Sequence, residues 1–447
     1  MNLTKLLKTG IILILFNVLC AKLAAQETIN TIQFTCNDDH ALVWIKATAN
    51  KEFTIDWGDS TIETKTGDID NSSLSHTYAV KGEYMVTITG STPDCRFNYF
   101  NVTPLTLYFS VSSLALISCT DLDTLYCQSG QLQKLDLSGC PELTHLGCDG
   151  NQLTELDLSG CTKLTELMCG FNQLSSLDLS LCPKLTYLIC GNNQLTELDL
   201  SGCPELTHLG CSGNQLAELD LSGCHEITHL GCSGNQLAEL DLSGCPDLES
   251  LYCFGNQLPL SDLFKSHLLI DNAFDKRLGT QNLQPQTVRI AEELFANQSV
   301  FGGIFTNYSV IKNENPALES DYTVMDGKLI FNAVGQYTVT MTNDAIVSNE
   351  ANPARVVVGI TVEKGTGIEE TKQSDITVYP NPATTEINVK LNSQEAINYT
   401  IYNIRGQQVK RGKILGEANI NIQSLLKGIY YMKLDGTKNR PVSFIKQ

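Results

Sequence analysis

The chain lacks the residue sets by which a sequence usually announces catalysis. Its 447 residues contain no GxSxG or CxxC motif and no glycine-rich phosphate loop, so the common serine-nucleophile, dithiol and nucleotide chemistries are without their parts. One HExxH string occurs, HEITH at His225 to His229, but Ile227 falls in a leucine column of the repeat described below, not on the helix that a zinc site of this kind needs. Basic residues are scarce as well. Between Val111 and Leu258 stand 19 acidic residues against 3 lysines (Lys134, Lys163, Lys184), a net of −16 within a chain of −19. A surface of that sign repels phosphates, which argues against a nucleic-acid partner. Apolar runs are short too: the longest, IILILFNVLC (Ile11 to Cys20), falls below the ~20 residues of a membrane-spanning helix. No membrane span is therefore expected.

What the chain has instead is repetition. From about Val111 to Leu258 a unit such as LTHLGCDGNQLTELDLSGCTK (Leu143 to Lys163) recurs every twenty-one residues. Leu122, Leu143, Leu164, Leu185, Leu206, Ile227 and Leu248 form one column, and Leu125, Leu146, Leu167, Leu188, Leu209, Leu230 and Leu251 a second. Cysteines fill the third, from Cys127 to Cys253, and asparagines the next: Asn151, Asn172, Asn193, Asn214, Asn235 and Asn256. The second half of each unit, as in Leu153, Leu156, Asp157, Leu158 and Cys161, nearly repeats the first. So short a coil predicts a narrow solenoid with strands or extended segments on both sides, about seven coils sharing one core. The asparagines are predicted to hold backbone groups of neighbouring coils that would otherwise be buried unpaired.

These columns, LxxLxCxxN followed by LxxLDLSxC, resemble the leucine-rich-repeat superfamily and its nested bacterial class, often called IRREKO. The first coil departs from the pattern, with Gly130 in the asparagine column and Val111 in a leucine column; it reads as a frayed cap. Past the last coil, LPLSDLFKSHLL (Leu258 to Leu269) predicts a short helix with Ser261 as N-cap and Asp262 in the first turn, closing the open end.

Of seventeen cysteines, fourteen lie in two columns of the repeat, Cys119 to Cys245 and Cys127 to Cys253. Inward positions favour free thiols packed as small hydrophobes. Disulfides and a thiolate metal site remain the alternatives.

The ends indicate export. Lys5 and Lys8 precede the apolar run, and Ala24 and Ala25 precede Gln26, a pattern that reads as a signal peptide over residues 1–25. Lipidation of Cys20 is the rival, opposed by bulky Leu19. Residues 27–104 alternate in the manner of an antiparallel sandwich. Within them, FTIDWGDS (Phe53 to Ser60) and SHTYAVKGEYMVTITG (Ser75 to Gly90) resemble the polycystic-kidney-disease (PKD) type of immunoglobulin-like module, with Trp57 and Tyr84 in its core. Cys36 and Cys95 bracket this module and are expected to form its disulfide in an exported protein. The solenoid and its cap are assigned to 111–282. A second sandwich, immunoglobulin-like, is expected over 283–364, with a hairpin turn at Asp326 and Gly327, then a linker over 365–374.

The remainder, 375–447, includes DITVYPNPATTEINV (Asp375 to Val389), YTIYNIRGQQV (Tyr399 to Val409) and LLKGIYYMKL (Leu425 to Leu434). It resembles the carboxy-terminal sorting domain of the type IX secretion system, carried by Tyr379, Pro380, Asn381, Pro382, Gly406 and Gly428. The resemblance implies passage across the outer membrane of a Bacteroidetes-type bacterium, contact with the type IX machinery, removal of the tail and attachment to a surface lipopolysaccharide.

Function is sought in the ladders. One outward column reads Thr124, His145, Glu166, Tyr187, His208, His229 and Ser250, and its neighbour Tyr126, Gly147, Met168, Ile189, Gly210, Gly231 and Tyr252. His145, Tyr187, His208, His229 and Tyr252 would make a strip able to bind a protein or a surface glycan; a plain solvated sheet face is the alternative. Asp157, Asp178, Asp199 and Asp220 stack in the LDLS half, and like charges ~4.8 Å apart repel. Either these carboxylates accept turn hydrogen bonds or cations, calcium among them, bridge them. No cofactor is otherwise implied. The sequence thus reads as a mainly β, multidomain, exported surface protein acting in binding or adhesion. A purely structural surface-layer component and an enzyme with an unrecognised site are the rival readings.

Overall fold

The computed structural model describes residues 29–68, 70–103, 110–270, 275–349, 354–364, 376–391, 396–403, 408–434 and 442–447. The signal-peptide segment, the 365–374 linker and Gly406 lie outside them. Two compact units result, Met1–Glu363 and Lys364–Gln447.

Alternation builds the N-terminal module. In β2 (His40–Ala47), Ala41, Val43, Ile45 and Ala47 are buried and the residues between them are not, the period of a strand with one face on a core. With β1 (Thr31–Cys36), β3 (Glu52–Asp56), β4 (Ile62–Thr66), β5 (Ser72–Thr77), β6 (Tyr84–Gly90), β7 (Phe97–Asn101) and β8 (Val111–Ile117), it forms two sheets. The first runs β4-β3-β6-β1-β8, and β5-β2-β7 belong to the second. Phe34, Phe53, Trp57, Phe97 and Phe100 are fully buried in the core they share. Tyr84 stacks at 3.7 Å on buried Tyr78, and the Trp57 indole N–H donates to Glu63 at 3.0 Å.

Two expectations fail here. Cys36 and Cys95 are free thiols. Cys36 ends β1 opposite Tyr84 and donates to the His40 carbonyl. Cys95 packs beneath Gly90, which bonds to Asn30 ahead of the other end of β1. Roughly 17 Å of strand separates the two, well beyond the ~7 Å between α-carbons that a disulfide tolerates. Val111–Ile117, counted by spacing into a first coil, pairs instead with β1 as the edge strand β8. Val111 still serves the solenoid, because its carbonyl accepts the Gln131 N–H. That close passage explains Gly130: a Cβ there would lie 2.8 Å from the Val111 carbonyl oxygen and 2.7 Å from Asn151 Oδ1.

The repeat forms seven parallel three-residue strands: β9 (Thr124–Tyr126), β10 (His145–Gly147), β11 (Glu166–Met168), β12 (Tyr187–Ile189), β13 (His208–Gly210), β14 (His229–Gly231) and β15 (Ser250–Tyr252). Pairing is in strict register, Leu146 beside Leu125 and Leu167, and so on to Leu251. The opposite side is extended and tied coil to coil by bonds such as Gln173 N–H to the Leu153 carbonyl. All fourteen repeat cysteines are buried, and none is joined in a disulfide. Each asparagine joins two coils. The Asn193 amide donates to the carbonyls of Cys169 and Cys190, both at 3.0 Å, and its oxygen accepts the Leu174 N–H.

Both ends are closed by what flanks them. Strand β7 pairs in parallel with β9, Phe100 beside Leu125, so one sheet of eleven strands runs from the N-terminal module through every coil. At the far end lie α1 (Leu260–Leu269) and β16 (Asp275–Arg277). The N-cap of α1 is Pro259, not Ser261, and no side chain of its own caps it. Gln298 supplies the acceptor for the Leu260 N–H from outside, at 2.9 Å. Gln281 stands where a seventh asparagine would, bonding Cys253 and Leu258 of the last coil.

The following sandwich centres on Arg355–Glu363, paired with Gly335–Thr342 and beyond it Asn307–Lys312. Its hairpin turns at Asp326 and Gly327, both at positive φ. The tail unit, described by itself, packs a three-strand and a four-strand sheet around Ile387, Val389, Ile401, Met432 and Phe444. Tyr379 donates to Glu417, Asn381 accepts the Ile445 N–H, Pro380 and Pro382 are exposed, and Gly428 opens the Gly428–Leu434 strand.

Candidate ligand-binding face

A strand turns alternate side chains to opposite sides, and the three-residue strands of the repeat turn the middle one inward. Leu146, Leu167, Leu188, Leu209 and Leu230 are therefore core, while the residues on either side of each face outward. The structure thus brings His145, Tyr187, His208 and His229 into one column and sets Tyr252 in the next, at its C-terminal end.

Several of these rings are held rather than loose. Thr144, Thr207 and Thr228 each donate their hydroxyl to a carbonyl of the preceding coil. Their oxygens lie 2.8 to 2.9 Å from Nδ1 of His145, His208 and His229. With the hydroxyl proton committed, Nδ1–H is the donor, which leaves Nε2 of His208 and His229 as the acceptor whenever the ring is neutral. The His208 and His229 rings stack at 4.2 Å, with Tyr187 at 5.5 Å from His208. Burial, and then the neighbouring His229, push the His208 pKa down. His145 approaches Glu166 at 3.6 Å. Tyr252 bonds through its hydroxyl to Asp275 and carries the Arg277 guanidinium 4.8 Å from its ring centre; Asp275 is held below the ordinary carboxylate range by those same two partners.

The aspartates do something different. Oδ1 of Asp136, Asp157, Asp178, Asp199, Asp220 and Asp241 accepts the backbone N–H two residues on, at 2.8 to 2.9 Å. Bonds from that serine lower each carboxyl pKa. Each aspartate thus stabilises its own turn. Among the described residues no three His, Cys, Asp or Glu side chains are grouped to hold a metal ion.

Two residues escaped the column reading, although the signal was present as a break in a column. After each repeat strand, and one residue before the asparagine column, the chain turns through a left-handed residue: Ser129, Gly150, Phe171, Asn192, Gly213, Gly234 and Gly255. Phe171 is the bulky member, 64% exposed at φ 51°. In the same coil Leu181, 50% exposed, stands where Gly139, Gly160, Gly202, Gly223 and Gly244 stand in the others. A large side chain in the left-handed region costs roughly 1 to 2 kcal/mol and gains no burial here. Phe171→Gly is accordingly expected to raise stability by about 1 kcal/mol, read from the denaturant midpoint; a destabilised variant would mean that Phe171 packs rather than projects.

Comparison with known proteins bears on both units. Residues 377–446 match the family described as a secretion system C-terminal sorting domain, and residues 183–223 match leucine-rich repeats, two copies. The chain therefore carries leucine-rich repeats and a type IX sorting domain, which marks it for secretion and attachment at the cell surface. No helix among the described residues is long and apolar enough to cross a membrane. A β-agarase A of Zobellia galactanivorans is 28% identical over 143 residues, 30% of this chain. The chain spans a quarter of that relative's length. Among solved structures, the functional domain of InlJ from Listeria monocytogenes, which includes a cysteine ladder, is 20% identical over 55% of this chain and 77% of its own, with a TM-score of 0.26. The Listeria monocytogenes internalin-like protein lmo2027 is 18% identical over 55% of this chain and 74% of its own, with a TM-score of 0.37.

Proposed function

We propose that this chain is an adhesin: a surface-displayed binding protein that reads its ligand with the outward columns of the repeat sheet, between a PKD-like module and an immunoglobulin-like sandwich. One observation carries the reading. Tyr187, His208, His229 and Tyr252 form a strip of rings, partly fixed by the scaffold, on a solenoid that is otherwise acidic. Prefixed aromatic rings bind with little loss of side-chain freedom and supply most interface hot spots. The acidic faces would set association rate and salt dependence more than affinity.

The tail is compact by itself, so deleting residues 375–447 is expected to leave a folded protein that never reaches the surface. Cell fractionation reads this directly, and surface display without the tail would sink the sorting role. Among cells displaying the full chain, a Tyr187→Ala, Tyr252→Ala double variant is expected to lose about 1 to 2 kcal/mol of binding per anchor. Attachment to epithelial and polysaccharide-coated surfaces measures it. Equal attachment at equal display would reduce the strip to solvated scaffold.

A further inference from the structure

We propose that the bare stretch of this face between Ile189 and Tyr252 is a saccharide subsite that seats one neutral pyranose ring over Gly231. The proposal rests on reading the strip as the ligand face and names what one end of it takes.

The second outward column is unevenly filled. Its large side chains lean onto the following coil: Tyr126 Cδ1 and Ile189 Cδ1 each come within 2.7 Å of where a Cβ on Gly147 or Gly210 would stand. Gly231 is left uncovered. The atoms nearest its Cβ position are Ser212 Oγ at 3.5 Å and backbone atoms of Gly210 and Leu209 at 3.9 Å. Tyr252 stands beside Gly231 in register, with Arg277 on its other side. The guanidinium takes one face of the phenol ring, which leaves the other for a ligand.

The flanks of this hollow supply polar atoms. On one side His208 and His229 stack, and their bonds to Thr207 and Thr228 leave both Nε2 atoms free. On the other, Ser212 and Ser233 follow Gly210 and Gly231 by two residues and so share their face. Ser233 is 5% exposed, yet its hydroxyl has no hydrogen-bond partner. A buried hydroxyl without a partner is uncommon and asks for one. A ring face, a bare floor and hydroxyl and imidazole flanks together suit a molecule with an apolar C–H face and a rim of hydroxyls, which is a pyranose. An apolar protein side chain would fill the hollow but leave Ser233 unsatisfied. An anionic sugar would meet the acidic solenoid.

The test uses the secreted full chain with neutral galactose-, glucose- and mannose-based oligosaccharides, and a uronic-acid oligosaccharide for contrast, in calorimetry and saturation-transfer NMR. A neutral sugar is expected to bind, with Gly231→Leu weakening it about tenfold or more and Ser233→Ala several-fold. Unfolding midpoints check that each variant is folded; should Gly231→Leu not fold, Ser233→Ala and Tyr252→Ala decide alone. Absence of binding by any neutral sugar at millimolar concentration would overturn the proposal, as would equal binding by the folded variants or preference for the uronic acid. If Tyr187→Ala abolishes cell attachment while no sugar binds, the subsite fails and the strip stands. If sugars bind but no strip variant affects attachment, the wider reading fails instead.

Discussion

Asn193→Ala is expected to destabilise the solenoid by about 3 to 6 kcal/mol. The side chain it removes donates to two buried carbonyls and accepts one buried N–H. None of these groups can turn to water, and each left unpaired costs roughly 1 to 3 kcal/mol. Aspartate would be no remedy, since an ionised carboxylate offers no donor to the Cys169 and Cys190 carbonyls. Denaturant unfolding, followed by exposure of the ladder thiols, measures the loss. A cost below about 1 kcal/mol would mean that neighbouring coils re-pair around the gap. The same change at Asn256 should be felt less, because Gln281 already donates to the Cys253 carbonyl from the far side.

A second large effect is expected in alkali. Burial pushes the thiols of Cys127, Cys169 and Cys211 up to about 12, and those of Cys148, Cys190 and Cys232 well above their ordinary 9.0. The folded state therefore holds these protons after the unfolded state has released them. Stability is whole below about pH 8 and is lost as pH rises from 9 toward 12. With the unfolded thiols half ionised at pH 9, these six alone steepen the loss to on the order of 4 kcal/mol per pH unit. Unfolding within a unit or so above pH 9 is the expected outcome, and a flat profile to pH 11 would contradict it. Under neutral conditions the same burial should keep the repeat thiols unlabelled by a thiol reagent for as long as the chain stays folded. Finding most of them already oxidised would refute the packing of these columns.

The solenoid could be read from sequence because its determinants are local and repeat. A leucine, a cysteine or an asparagine at one phase of the period meets the same neighbours in every coil. What escaped depended on partners distant in the chain. Val111–Ile117 was counted by its phase, yet its pairing is set by β1, some eighty residues earlier. Cys36 and Cys95 bracket a module in sequence and sit at opposite ends of one strand in space. Ser261 looked like a cap because the acceptor that serves the helix, Gln298, comes from the next module. Phe171 and Leu181 were visible all along, but as exceptions: a reading tuned to the columns passes over the residues that break them. The bare floor at Gly231 depends on how far Ile189 leans over Gly210, which the periodicity of the sequence does not encode.

The asparagine bonds also bear on how such a chain can change length. Each amide touches its own coil and the one before it, and nothing farther. A whole unit of twenty-one residues inserted between two others would meet on either side the neighbours it already has. Slippage during copying of so repetitive a gene can therefore lengthen or shorten the array without refashioning a contact, provided that the N-terminal module, α1 and Gln281 still close the two ends. Reach becomes a heritable variable separate from stability. Each added coil would also bring two fresh outward positions on which substitutions such as those at Tyr187 or Gly231 can be tried.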